Sequence, residues 1–295
     1  MATIKANYDF PTQMVTEMFD AVRGHSALAK LADQKPMPFN GVTEFVFNAA
    51  GEAALVAEGA AKPAGDATVT PKVIKPVKFV YQQRVSDEFI KGGDEVRLQY
   101  LAAFAEGFGR KIARGFDIAA IHGIDPATGS AASFRSANSF EGMLSNITAY
   151  VAASFDDNID AAIASISDGE VNGLALSPTG GAALAAIKVN GVPQYPEFRF
   201  GQNPDAFYGM RADVNSTVEV QGTGVTDKMH ALVGDFAGAF RWGYANNIPL
   251  EVIEYGDPDG AGHDLKQYNE VCLRAEAYIG WGILDADAFA AVIDS

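Results

Sequence analysis

Between Gly41 and Val85 the chain carries two strand-like runs that cannot form a stable unit alone, and this limits the possible folds more than any other feature. Thr43-Glu-Phe-Val-Phe-Asn48 alternates as a strand does. After a Gly- and Ala-rich tip, the run from Thr68 to Tyr81 alternates again, with Val69, Val73, Val77, Phe79 and Tyr81 on one face. Pro63, Pro71 and Pro76 each remove a backbone donor, which excludes a central sheet position and leaves an edge or a free hairpin. A two-stranded hairpin is marginal in water. Something outside it must support it, and a neighbouring copy of the same chain is a candidate.

The run from Asp94 to about Ile121 is the second constraint. Leu101, Phe104, Phe108, Ile112, Phe116 and Ala119 fall at spacings of three and four, one stripe of a helix. Gly92-Gly93 interrupts a short helical turn that begins at Ser86, and Asp94 is suited to cap the longer run. Such a helix spans about 40 Å and reads as a spine. Ahead of the hairpin, the segment up to about Asn40 is an arm with one amphipathic stretch, Thr12 to Leu31, closed by Lys35-Pro-Met-Pro38. From about Phe140 to Phe236 the pattern is that of a compact α/β unit. Asp156 to Ile166 is a helix, Leu174-Ala-Leu176 a short buried strand, and Ser177-Pro178 an N-cap followed by proline in the first turn. A loop rich in proline, glycine and aromatics follows from Val189 to Pro204. Ala231 to Asp235 and Ile248 to Ile253 are further strands. Gln267 to Leu284 suits a strand packed on the spine, with a short tail of Ala and Val after it.

No catalytic chemistry emerges. The four histidines, His25, His122, His230 and His263, are dispersed and lack metal-ligand spacing. There is no Gly-x-Ser-x-Gly elbow and no Gly-Lys-Ser/Thr phosphate loop. Gly107-Phe-Gly109 lies inside the helical stripe rather than after a strand, which excludes a dinucleotide loop. Asp257-Pro-Asp259-Gly260 with His263-Asp264 lacks the ligand spacing of a calcium loop and reads as a turn between strands. Cys272 is the single cysteine, so no internal disulfide forms, and its apolar setting makes it a small buried hydrophobe. The N-terminus lacks the apolar core of a signal peptide, and no apolar run approaches the ~18 residues of a membrane span. The expectation is a soluble protein made in a cytoplasm, with no catalytic residue, cofactor or metal. A net charge of −15 argues against generic nucleic-acid binding. It suits simple solubility, or a container wall that does not stick to packed DNA.

Charge is distributed unevenly. Between Lys62 and Arg84 the basic residues Lys62, Lys72, Lys75, Lys78 and Arg84 oppose Asp66 alone, whereas from Glu251 to the end ten acids oppose only Lys266 and Arg274. The two regions are complementary, and contact can run within one subunit or between subunits. The length of the hairpin favours the second. The candidate inter-subunit contacts are therefore Glu58, Lys62, Lys72, Lys75, Lys78 and Arg84 on the loop, with Glu254, Asp257 and Asp259 in the C-terminal third.

Glu58-Gly-Ala-Ala-Lys-Pro63 with Asp66-Ala-Thr68, then Lys78 to Asp87, resembles the extended loop and return strand of phage major capsid proteins. Val233-Gly-Asp-Phe236, Ile253-Glu-Tyr255, Asn269 to Gly282 and Asp285-Ala-Asp-Ala-Phe289 resemble that family's C-terminal block, in the right order. The resemblance implies an α+β, Hong Kong ninety-seven-type phage capsid fold, with an arm (1–40), an extended β-hairpin loop (41–85) and a peripheral domain with the spine helix (86–139). An axial domain (140–238) and a return to the peripheral domain (239–295) complete it. It further implies a structural protein that self-assembles into pentamers and hexamers of an icosahedral shell, built in the bacterial host cytoplasm and found in the virion. The partners implied are other copies of the chain, a separate scaffolding protein, a portal protein, a decoration protein, and double-stranded DNA enclosed without specific binding. There is no room before the arm for the scaffolding segment of about 100 residues that many members carry, hence the separate scaffold. Cross-linking relatives join a loop lysine to a neighbour's asparagine with a nearby glutamate as base. Here Lys62 matches the lysine, Tyr268 stands nearest the acceptor position with Asn269 beside it, and Ala275 falls at the glutamate position with Glu276 next to it. The alternatives are an encapsulin-like compartment of the same fold, and an α/β enzyme whose site is not recognisable.

Overall fold

The computed structural model describes residues 25–50, 54–62, 64, 66–88, 94–167, 169–225, 227–245 and 250–294. The greater part of the Thr12–Leu31 stretch, the Gly92-Gly93 break, Pro63 and the beginning of the strand expected from Ile248 lie outside the described residues.

The spine is present as one helix, α2, Asp94–His122, following the short α1, Ala27–Leu31. The run contains no proline, and Leu101, Phe104, Phe108, Ile112 and Phe116 are buried along one side of it. That side lies on a four-stranded antiparallel sheet of β3 (Val77–Ser86), β11 (Phe240–Tyr244), β12 (Leu250–Ile253) and β13 (Glu270–Ile283). The 14-residue β13 is the centre of the sheet, pairing with β3 on one side and with β11 and β12 on the other. Leu273, Ala275, Ala277, Ile279, Trp281 and Ile283 alternate along it and are buried. Phe116 meets Trp281 edge-on at 5.7 Å and Trp242 at 5.3 Å, so aromatic packing joins spine to sheet.

The run from Thr68 to Tyr81 is not one strand. Its first part is β2 (Asp66–Ile74), which pairs with β1 (Val42–Ala50) in a two-stranded hairpin from Val42↔Ile74 to Ala50↔Asp66. Its second part is β3, paired with β13 from Ile279↔Val77 to Glu270↔Ser86. Lys75-Pro76 separates them, because proline cannot donate to a ladder. The predicted apolar face therefore divides. Val77, Phe79 and Tyr81 pack against the core, while Val69 and Val73 face solvent.

The α/β unit forms a six-stranded sheet ordered β4 (Ile147–Ala149), β14 (Phe289–Ile293), β10 (Met229–Gly234), β5 (Gly173–Leu176), β9 (Met210–Val214), β8 (Ala206–Phe207). Helices α3 (Phe155–Ala164) and α4 (Pro178–Ala186) pack on it around Phe155, Leu176, Leu184, Val233 and Val292. As the sequence indicates, Ser177 caps α4, its Oγ accepting the Gly180 N–H at 2.9 Å with Pro178 in the first turn. The loop after α4 contains a tight hairpin of β6 (Lys188–Val189) and β7 (Val192–Pro193). The chain's last strand departs from the grouping of 239–295 with the spine unit. Phe289-Ala-Ala-Val-Ile293 is apolar on both faces, which fits an interior strand, and it lies between β10 and β4.

Candidate inter-subunit surface

Antiparallel partners share a face, so the hairpin has two different sides. On one, Ile74 is buried against Gly282, Lys72 Nζ donates to the Ile283 carbonyl, and Glu44 pairs with Arg241. A Cβ on Gly282 would stand 2.6 Å from Ile74, so glycine is what lets the hairpin base lie flat on β13. Nearby, Gly243 and Gly280 are cross-strand partners that admit the Lys35 carbonyl and the Met37 side chain. The other side bears Thr43↔Val73, Phe45↔Pro71 and Phe47↔Val69. Phe45 is 70% exposed, Phe47 65%, Val73 58% and Val69 55%. Four large apolar side chains on one free sheet face form a contiguous strip of the kind that marks an interaction surface.

Most of the charged candidates meet within the chain. Arg84 Nη2 reaches Asp257 at 2.5 Å, its Nε reaches Asp259 at 2.8 Å, and its Nη1 reaches Glu270 at 3.1 Å. The Arg84 guanidinium, against the cost of burial, holds the Asp259 carboxyl well below the usual carboxylate range and lowers Glu270 as well. This knot pins the turn after β12 to β3. Lys78 pairs with Glu276 at 2.7 Å, and that bond raises its ammonium pKa. Burial pushes the Lys72 ammonium down, partly countered by Asp285. Arg84 and Lys78 thus form ion pairs within the chain because β3 lies in the sheet rather than in the projecting loop, and Lys72, on β2, bonds to the β13 backbone. Glu58 and Lys62 sit on the exposed tip, Lys75 is exposed at the break between β2 and β3, and Glu254 is half-buried after β12.

Two polar clusters escaped the sequence reading. Ser177 Oγ stands 3.3 Å from His230 Nδ1, and His230 Nε2 stands 2.7 Å from Asp294 Oδ1, the order of a hydrolase triad. Ser177 is fully buried and its oxygen already caps α4, while Tyr150 stacks on the imidazole at 3.8 Å. No substrate carbonyl can reach the hydroxyl, so the cluster is a structural tie between β10, α4 and the C-terminus. Burial works against the Asp294 carboxylate, but hydrogen bonds from His230 and the Lys228 N–H hold its pKa below the ordinary value. The second cluster surrounds Asp117 on α2. It accepts from Ser26 Oγ at 2.5 Å, the Ala27 N–H at 2.8 Å, the Leu28 N–H at 3.3 Å and Thr217 Oγ1 at 2.9 Å. Burial nevertheless raises its pKa to about 6.

Among the described residues no group of three or more His, Cys, Asp or Glu side chains is placed to hold a metal, and no helix is long and apolar enough to cross a membrane. A two-layer body on a long helix, with an apolar-faced hairpin projecting from it, defines a shell-building subunit. The family model for "Phage capsid family" matches residues 6–293, and the chain belongs to that family. It is a structural subunit of a tailed-phage type icosahedral head, with the Hong Kong ninety-seven-type fold, a virion component and not an enzyme. A solved chain from Mycobacterium phage Ogopogo is 34% identical, with 92% of each chain covered and a TM-score of 0.78. One from Gordonia phage Cozz is 25% identical over 92% of this chain and 87% of that one, with a TM-score of 0.74. A chain described as the capsid of an empty GTA particle shares the fold at 13% identity, 92% and 90% coverage and a TM-score of 0.61. No curated protein sequence matches this one.

Proposed function

We propose that the outer face of the β1–β2 hairpin is the surface by which each subunit binds the next copy in the shell. The supporting observation is the strip of Phe45, Phe47, Val69 and Val73, exposed on a hairpin whose opposite face is already anchored to its own β13. Glu58, Lys62 and Lys75 flank this contact as rim charges, and Glu254 is available on the body. In this reading 1–40 is the arm, 41–76 the projecting loop, and β3 with α2 and β11–β13 the peripheral domain. The six-stranded sheet, β14 included, is the axial domain. A separate scaffolding protein, a portal and a decoration protein are the further partners, and the shell encloses double-stranded DNA without reading its sequence.

The test is the double variant Phe45→Ser with Phe47→Ser, expressed with the factors that allow the wild type to assemble. The expected outcome is a subunit with an unchanged thermal transition and no closed particles in electron micrographs. Wild-type particle yield from that variant overturns the proposal.

A further inference from the structure

A two-residue hairpin turn with positive φ at both central residues favours Asn-Gly, because most side chains are strained there. The β6–β7 turn follows the rule, with Asn190-Gly191 between Val189 and Val192. The β8–β9 turn does not. Tyr208-Gly209 joins Phe207 to Met210, with φ at +48° and +88°. The Tyr208 ring is 82% exposed and meets Phe207 edge-on at 4.7 Å. It buries too little within its own subunit to offset the strain, and a bulky aromatic held out on such a backbone marks a contact with something else. Toward the other end of β9 lies a groove of about 500 Å³ between α4 and the segment Pro196–Gly201. Ala182, Ala186, Phe198, Phe200, Gln202 and Val214 wall it. Phe200 stands on its rim at φ +60°, 94% exposed, with the Arg199 guanidinium over its ring at 5.1 Å. Val214 ends β9 and Tyr208 precedes it, so about 13 Å of strand separates that wall from the turn, and Tyr208 does not line its own groove.

Charge matches as well. Among the described residues Arg199 has no carboxylate partner, and Asp160, exposed on α3, has no cationic one. Asp160 belongs to the Tyr208 side of the unit: burial, then Asp156, Tyr208 and Asp160, push the Tyr195 hydroxyl up to about 12. We infer that Tyr208 of each subunit inserts into the α4 groove of the next copy, with Asp160 of the first facing Arg199 of the second. The ring then lies against Phe200 and the α4 alanines, and Gln202 offers an amide to its hydroxyl. A second copy is the occupant because the chain is a shell subunit, and because ring, groove and both unpaired charges are all its own. Tyrosine and groove are different patches of one subunit, so the contact is head-to-tail and closes into a ring or runs on as a filament. It is independent of the β1–β2 strip, which belongs to another sheet.

The test uses two full-length variants. Tyr208→Asn suits the turn and lacks the ring, and Ala182→Trp fills the groove from an exposed position. Sedimentation velocity over a concentration series reads the oligomers of purified subunits. Each variant alone is expected to need about tenfold more protein than wild type, or more, to form capsomers, the loss expected for a buried aromatic anchor. Tyr208→Asn is expected to melt no lower than wild type, because asparagine relieves the turn. The equimolar mixture is the decisive arm. Ala182→Trp keeps its tyrosine and Tyr208→Asn keeps its groove, so each mixed pair forms one sound joint and the mixture gives dimers that do not grow. Capsomers from Tyr208→Asn at wild-type concentrations overturn the inference, as does a mixture without dimers. A lowered melting transition in Tyr208→Asn also overturns it, because the ring then serves its own subunit. Should Ala182→Trp fail to melt cooperatively, Ala186→Trp, also exposed on the groove wall, takes its place.

Discussion

Asp117 interrupts an apolar run, Phe116-Asp-Ile-Ala-Ala-Ile121, and that interruption was the one readable sign of a buried acceptor on the spine. Its donors, Ser26 and Thr217, stand 91 and 100 residues away, which no local pattern reveals. The same distance hid the Ser177–His230–Asp294 tie and the pairing of Arg84 with Asp257 and Asp259. Charge composition showed that the two regions attract; only the register of β3 on β13 fixes the contact inside the subunit. Asp117 makes a prediction about pH. Its folded pKa, about 6, lies above the 3.8 of an exposed Asp, so its stabilising contribution is full below about pH 4 and is lost as pH rises through 6. Asp259, Glu270 and Asp294 shift the opposite way, and their contributions are lost only as pH falls through their lowered values. Between about pH 7.5 and 5, wild type therefore gains about 1.4 kcal/mol from Asp117 that Asp117→Asn does not. Thermal melts of capsomers at the two pH values should show the gap between the proteins widening on the acid side. A constant gap would mean that Asp117 is ionised throughout.

At the scale of elements, periodicity did well where one segment packs on one face. The spine from Asp94, the cap at Ser177-Pro178 and the long strand within Gln267–Leu284 were all legible, because each is written in contiguous residues. The run from Thr68 to Tyr81 misled because alternation continues through Lys75-Pro76 while the pairing partner changes. The glycines of Gly280-Trp-Gly282 could have been read as a flat place on a strand, but what lies on them could not. Gly282→Val places branched carbons where Ile74 sits, and the overpacking is expected to cost about 1–3 kcal/mol and to free the hairpin base. Limited proteolysis should then cut within 42–74 faster than in wild type, while Gly107→Ala, on the exposed side of α2 with open space around it and no positive φ, should leave the pattern unchanged. Removing the tip itself, residues 51–66, should leave the melting transition of the body in place and stop assembly. A lost cooperative transition in that deletion would make the tip part of the folded core.

For the whole molecule, the decisive question is what holds neighbouring subunits together once the shell is closed. Rim charges such as Lys62 and Lys75 are screened within about 8 Å at physiological salt, so assembly should slow as salt rises while the apolar strip continues to drive it. Reversal of Lys75 alone is a cleaner probe than reversal of Lys72 or Lys78, which also bond within the chain. Covalent fastening would need three groups at once: a lysine amine to bond to an amide carbon, a side-chain amide that loses ammonia as that bond forms, and a carboxylate in an apolar pocket to take the amine's proton. Lys62 is exposed on the tip, and Asn269 is an exposed residue in left-handed conformation at the start of β13. The base is what fails. Ala275, which the resemblance sets at the position of the base, is buried under the spine, on the face of β13 opposite to Glu276. One residue of displacement in a strand turns a side chain through to the other side, so Glu276 cannot substitute. It is moreover held by Lys78 at 2.7 Å. Within one subunit, then, no carboxylate stands where the resemblance sets the base, and the expectation is a shell joined by packing and charge. Mature particles boiled in detergent should run as a single band at 31.2 kDa. A ladder of multimers that disappears in Lys62→Ala would mean that a base reaches the lysine from another subunit, and the non-covalent account would be abandoned.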